Sequence, residues 1–112
     1  MQSPSYFSGI VKIMENPKQK VLNDKIISTR FRALIPQTRK NKPPKIISLV
    51  FWGSLADDVK NYYQINDYIL IEGYSSIQTK KNKDLIDSKL KKVIITVFKV
   101  YPFLLKANNN YK

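Results

Sequence analysis

A chain of 112 residues has room for one compact domain, and its 20 basic against 8 acidic residues leave a formal charge of +12, the mark of a folded domain that meets a polyanion. The absence of cysteine and histidine removes disulfide frameworks, thiolate metal sites and the usual imidazole base, so neither a metal nor another cofactor is expected. An anionic membrane would want a long amphipathic helix with one basic face; no stretch supplies one, and no membrane partner is expected. Apolar runs stay short of eighteen residues and "MQSPSYFSGIVKIMENP" lacks a basic segment ahead of an apolar one, which predicts a soluble, unsecreted chain.

Period-two alternation dominates, in five runs rich in isoleucine, valine, phenylalanine and tyrosine. The first, about Tyr6 to Met14, is closed by "ENPK", where Asn16 and Pro17 bring turn chemistry and remove a ladder donor. A turn around "VLNDK" follows. In the second run, "KIISTRFRALI", Ile27, Thr29, Phe31 and Ala33 alternate with Ser28, Arg30 and Arg32, giving one core face and one basic face. The connector "PQTRKNKPPK" cannot bury an apolar face and reads as a mobile, extended basic finger.

In the third run Ile47, Leu49 and Phe51 point one way, while Ile46, Ser48, Val50 and Trp52 point the other. "GSLADDVKNYY" predicts a short helix, with Ser54 as N-cap, Asp57 in an acidic variant of the capping box, and Leu55, Val59 and Tyr62 as the buried stripe. "NDYILIEG" is the fourth strand, with Ile69 and Ile71 inward and Gly73 at a bend or bulge. "SSIQTKKNKDLIDSKLKK" reads as a long hairpin arm, with or without a helical turn at "DLIDSKL", and "KVIITVFKV" is the fifth strand. The order predicts an all-β domain, a five-stranded OB-fold barrel with a short helix between strands 3 and 4. Residues 1–104 are assigned to it and 105–112 to a flexible C-terminal tail.

The segment "VFWGSLADD", then "YY", then "ILIEG" resembles the bacterial-type single-stranded DNA-binding proteins (SSB), in which a strand ending in an aromatic and glycine leads into a short helix, a tyrosine and a strand ending in "EG". "IVKIMENPK" is similar to that family's first strand and turn, and "TRFRAL" to its second strand. The likeness spans about Tyr6 to Tyr101 and is nearest the small SSB-like reading frames of algal plastid genomes. It implies bases stacked on strand aromatics, cations along the backbone path, and a homodimer or homotetramer paired through strand one and the barrel surface. Trp52 falls on the stacking aromatic of strand three. Ile46 and Lys80 stand where many members carry further stacking rings, so the platform is reduced. The chain ends in "NNNYK" without the acidic tail through which bacterial members recruit partner enzymes, and recruitment by that route is not expected.

The candidate nucleic-acid-binding residues are therefore Trp52 for stacking, Arg30 and Arg32 on the outward strand face, and two clusters of loop cations. One cluster is Arg39, Lys40, Lys42 and Lys45; the other is Lys80, Lys81 and Lys83. Asp57 and Asp58 are adjacent on a helix and do not face each other, and no nucleophile has a base partner in view, so no enzymatic activity is expected. The leading expectation is sequence-tolerant binding of single-stranded DNA in replication, recombination or repair, in a plastid (chloroplast) by composition and resemblance, and otherwise in the cytoplasm. An RNA-binding or primosome-like OB module would use the same basic groove. An OB domain serving as a protein interaction subunit would instead bury Trp52.

Overall fold

The computed structural model describes residues 4–23, 25–37, 41–81 and 89–106, with backbone alone at 80, 81, 89 and 90. Six strands and one helix follow in order: β1 (Ser5–Ile13), β2 (Lys18–Leu22), β3 (Ile26–Ile35), β4 (Lys45–Trp52), α1 (Ser54–Tyr62), β5 (Tyr68–Lys81) and β6 (Lys89–Leu104). The sheet order is β1-β5-β6-β4-β3-β2, and Lys12 and Ile13 of β1 pair with Leu34 and Ala33 of β3, which closes five strands into a ring. All contacts in the ring are antiparallel except β4 with β6. This is the OB-like, all-β architecture expected, with the helix between the third and fourth strands of the ring.

One strand was not foreseen. "ENPK" does close β1, but "KQKVL" beyond the proline again alternates and forms a separate strand that pairs with β3 from Lys18 opposite Arg30 to Leu22 opposite Ile26. The turn that follows is accordingly shorter than expected and centres on Asn23, whose φ of 48° suits an asparagine. The arm reaches further too: the β5–β6 ladder runs from Tyr68 opposite Leu104 to Lys81 opposite Lys89. The helical turn considered at "DLIDSKL" lies, up to Ser88, outside the described residues.

Alternation delivers the core as read. Phe31 and Ala33, Ile47, Leu49 and Phe51, Ile69 and Ile71, joined by Val11, Ile13, Ile95 and Val97, are buried together inside the ring. Phe31 and Phe51 stack at its centre with centroids 5.3 Å apart. Gly73 sits at a register shift between β5 and β6, where any Cβ would run into the backbone carbonyl of Thr96. The bulge therefore needs glycine.

The helix corrects two expectations. Gly53, with φ 66°, holds the N-cap position and Ser54 is already helical, so no side chain caps the helix start. Asp57 instead accepts a 2.6 Å hydrogen bond from Gln19 Nε2, tying α1 to β2. The buried stripe is Ala56 and Val59, with Leu55, as expected, and Tyr63 packed against the core, whereas Tyr62 is 71% exposed. The rotation has a visible cause: Thr29, buried on the inner face of β3, donates from Oγ1 to Ala56 O at 2.7 Å and fixes which side of the helix meets the barrel.

Beyond α1, Asp67 is 1% exposed and its carboxylate accepts from Gln64 N at 2.9 Å and from Lys106 N at 2.8 Å. Its backbone carbonyl accepts from Ile13 N at 2.8 Å. One residue thus joins the helix exit and the chain beyond β6 through its side chain, and β1 through its backbone carbonyl. Replacing Asp67 with asparagine removes one acceptor and sets an amide N–H against a backbone N–H, so unfolding in urea should lose roughly 1–3 kcal/mol. A parental unfolding midpoint would show that Asp67 is not the clasp.

Candidate nucleic-acid interface

On the outer surface of β2, β3, β4 and β6 the register sets outward residues into three rows. Lys20, Ser28 and Trp52 form the first; Lys18, Arg30, Val50 and Thr96 the second; Arg32, Ser48 and Ile94 the third. Neighbours within a row are about 4.8 Å apart and rows about 7 Å apart, so the whole array is the size of two or three nucleotides. A concavity of about 510 Å³ opens over the second and third rows. Val50, Ser48 and Ile94 line it from the sheet, and Lys18, Lys20, Arg30, Arg32 and Lys92 stand around it. Cations beside an apolar floor keep more of their field than they would in open water.

Glu15, also at the groove, opposes them. Its Oε2 accepts from the Arg32 backbone N–H at 2.7 Å and from Arg32 Nε at 3.3 Å, and Oε1 accepts from Nη2 at 3.4 Å. The Arg32 side chain first, and its backbone N–H second, hold the Glu15 carboxyl below the usual carboxylate range. Arg32 is thereby oriented at the rim, while Lys18, Lys20 and Arg30 have no carboxylate bonded to them among the described residues.

Trp52 ends β4 on the outer face, 40% exposed, with its neighbour Phe51 fully buried, as the alternation requires. Among the described residues of β2, β3 and β4 it is the one outward aromatic. Where a Gly53 side chain would project, no atom beyond its chain neighbours lies within 4 Å. Lys45 starts the same strand about 23 Å away at 3.3 Å per residue, with exposed Lys42 in the turn before it. Ile46, exposed on the Trp52 face, lies near the opposite end of β4.

Of the residues selected from sequence, Arg30 and Arg32 line the groove, Trp52 lies beyond its edge, and Lys42 and Lys45 stand at the far end. Arg39, Lys40 and Lys83 fall outside the described residues; Lys80 and Lys81 end β5, with backbone alone described. Lys18, Lys20 and Lys92 were missed. The signal was present in "KQK", whose alternation is that of a half-basic strand, and in the parity that sets Lys92 with outward Ile94 against inward Ile95.

A second exposed surface lies further around the barrel. Tyr6 of β1 is paired with Tyr74 of β5, their rings 6.2 Å apart, and Phe98 of β6 packs at 5.3 Å from Tyr74. Tyr6 donates from its hydroxyl to Glu72 Oε1 at 2.9 Å. Beside this cluster the second edge of β1, from Ser5 to Val11, has no strand partner among the described residues.

No family model matches the chain. It is 39% identical over 104 residues, 92% of each chain, to a protein of Trieres chinensis that carries the provisional name single-stranded DNA-binding protein ycf41. Among solved structures, the small single-stranded DNA-binding protein of Streptomyces coelicolor matches with a TM-score of 0.77 at 12% identity, over 92% of this chain and 97% of that one. The second single-stranded DNA-binding protein of Mycobacterium smegmatis matches with a TM-score of 0.66 at 17% identity, over 98% and 99%. The SSB domain of a Synechococcus protein also reaches 0.66, at 18% identity over 90% and 98%. The structural likenesses carry the fold alone, and the identity shared with the Trieres chinensis protein along nearly the whole of both chains carries the rest: this chain belongs to the single-stranded DNA-binding protein family.

Proposed function

We propose that the chain binds single-stranded DNA with little sequence preference, as a binder and not an enzyme, in replication, recombination or repair within a plastid. The observation that carries this reading is the groove across β2, β3, β4 and β6, with five cations around an apolar floor and Trp52 presented beyond its edge. Phosphates meet Lys18, Lys20, Arg30, Arg32 and Lys92. Lys42 and Lys45 add charge at the far end of β4, and the cations Arg39, Lys40, Lys80, Lys81 and Lys83, selected from the sequence, are proposed as further phosphate contacts. Trp52 offers its ring to one base. The name ycf41 of the Trieres chinensis relative and the abundance of lysine, isoleucine and asparagine support the plastid setting.

Charge should dominate affinity. Each phosphate neutralised on a single strand contributes about 0.7 to the slope of log affinity against log salt, so replacing Lys18, Arg30 and Lys92 together with alanine should flatten that slope by about 2. Homopolymers of different base should weaken alike. A triple mutant with the parental slope would remove the groove from the binding path.

Trp52 is the sole tryptophan, so its emission reports a single site. Oligothymidine should quench it, and Trp52→Ala should weaken binding by roughly 1–3 kcal/mol while the melting temperature holds, the range for one base stacked on one aromatic. Unchanged emission on saturation with DNA would end the stacking assignment. Running the titration with a ribo-oligomer of the same length distinguishes an RNA preference.

We further propose assembly into a homodimer or homotetramer through the free edge of β1 and the Tyr6–Tyr74–Phe98 surface. An unpaired edge beside exposed aromatic rings is the kind of surface that pairs with a second sheet. Phe98→Asp with Tyr74→Lys should shift the native mass to that of a monomer. A parental chain that is already monomeric at micromolar concentration would rule the interface out.

A further inference from the structure

Among the described residues, the buried side-chain polar atom left without a hydrogen-bond partner is Ser28 Oγ. Ser28 is 1% exposed, yet it does not face into the barrel. Its neighbour Thr29 takes the inward position, bonded to Ala56 O, and alternation turns Ser28 to the groove face. There it stands in register between Trp52 on β4 and Lys20 on β2. Gly53 N donates to Ile27 O, which makes Ser28 and Trp52 a non-hydrogen-bonded pair, the kind that brings side chains closest.

A short residue between two long ones, on strands about 4.8 Å apart, leaves about 10 Å between the flanking Cβ atoms. That width admits a flat ring laid against the indole once the flanking side chains part, since Ser28 is 1% exposed in the free chain. Packing does not account for the serine, since alanine would fill almost the same volume without burying an unpartnered hydroxyl. A hydroxyl both donates and accepts, so a side chain of this size can satisfy the edge of any base.

We infer that Ser28 is the floor of a nucleobase subsite: a base enters between Trp52 and Lys20, stacks on the indole and hydrogen-bonds at its edge to Ser28 Oγ, while Lys20 meets the adjoining phosphate. This rests on the single-stranded DNA reading above and adds to it a polar contact that tolerates every base.

The test compares the parent with Ser28→Ala on oligothymidine, oligodeoxyadenosine and an abasic strand of equal length. Ser28→Ala should melt at or above the parental temperature and bind both homopolymers about three- to tenfold more weakly, as one neutral hydrogen bond implies. The salt slope should not change, and the abasic strand should bind parent and variant alike. Parental affinity for the homopolymers would overturn the subsite. So would an equal loss on the abasic strand, which would make the contact one to backbone, or a lowered melting temperature, which would make the serine structural. If the parent itself neither binds at low salt nor changes its emission, the DNA reading falls and the subsite with it; binding with quenching that Ser28→Ala leaves intact removes the subsite alone.

Discussion

The antiparallel ladder from Ser28 opposite Trp52 to Ile35 opposite Lys45 carries the core on one face and the groove on the other. Both depend on its register. A slip of one residue would send Phe31 and Phe51 towards water and set Arg30 and Arg32 against the barrel interior, so the buried aromatic pair holds the cations in place. The same ladder sets the helix: Gly53 N extends it by one bond to Ile27 O before the chain turns into α1, and Thr29 then fixes the turn of the helix from below.

Closing the ring makes demands that the ladder cannot meet alone. Strands β5 and β6 must change register where they bend, and the backbone carbonyl of Thr96 comes so near Gly73 that no side chain fits. Where β1 ends and α1 exits, the backbone groups near Ile13 and Gln64 would be left without partners in a desolvated corner. Asp67 accepts for both sides of that corner with its carboxylate and carbonyl. A buried carboxylate bonded to backbone N–H groups is tolerable because the bonds replace the water it has lost.

The fold was legible because burial follows parity. Phe31, Ala33, Ile47, Leu49, Phe51, Ile69 and Ile71 are inward by alternation and buried in fact. What escaped was whatever depends on a partner distant in sequence. The strand Lys18–Leu22 is short, half-basic and follows a proline, and only its eventual pairing with β3 makes it a strand. Ser54 and Asp57 form a capping pattern, but the glycine before them takes the cap and Gln19 takes the aspartate. Tyr62 and Tyr63 differ by one position in a periodicity of 3.6, and the bond from Thr29, 27 residues before Ala56, decides between them. Trp52 could be read as outward from parity alone; the cations that share its face came from three other strands.

Two features of that face run against folding and lie side by side. Lys18 and Arg30 are directly opposite one another across β2 and β3, a like-charge pair that weakens a sheet. In the next row the hydroxyl of Ser28 is buried with no partner. Elsewhere the barrel obeys the local rules closely: its core is apolar, Thr29 and Asp67 are satisfied, and Arg32 has its carboxylate. Sequences that agree with their fold at most positions and contradict it at a few tend to do so where something else is bound. On the proposed reading, a phosphate between Lys18 and Arg30 turns their repulsion into attraction, and a base edge at Ser28 supplies the missing partner. The free energy withheld from the free chain at these positions would then return on binding, so the groove owes part of its affinity to what it leaves unsatisfied when empty.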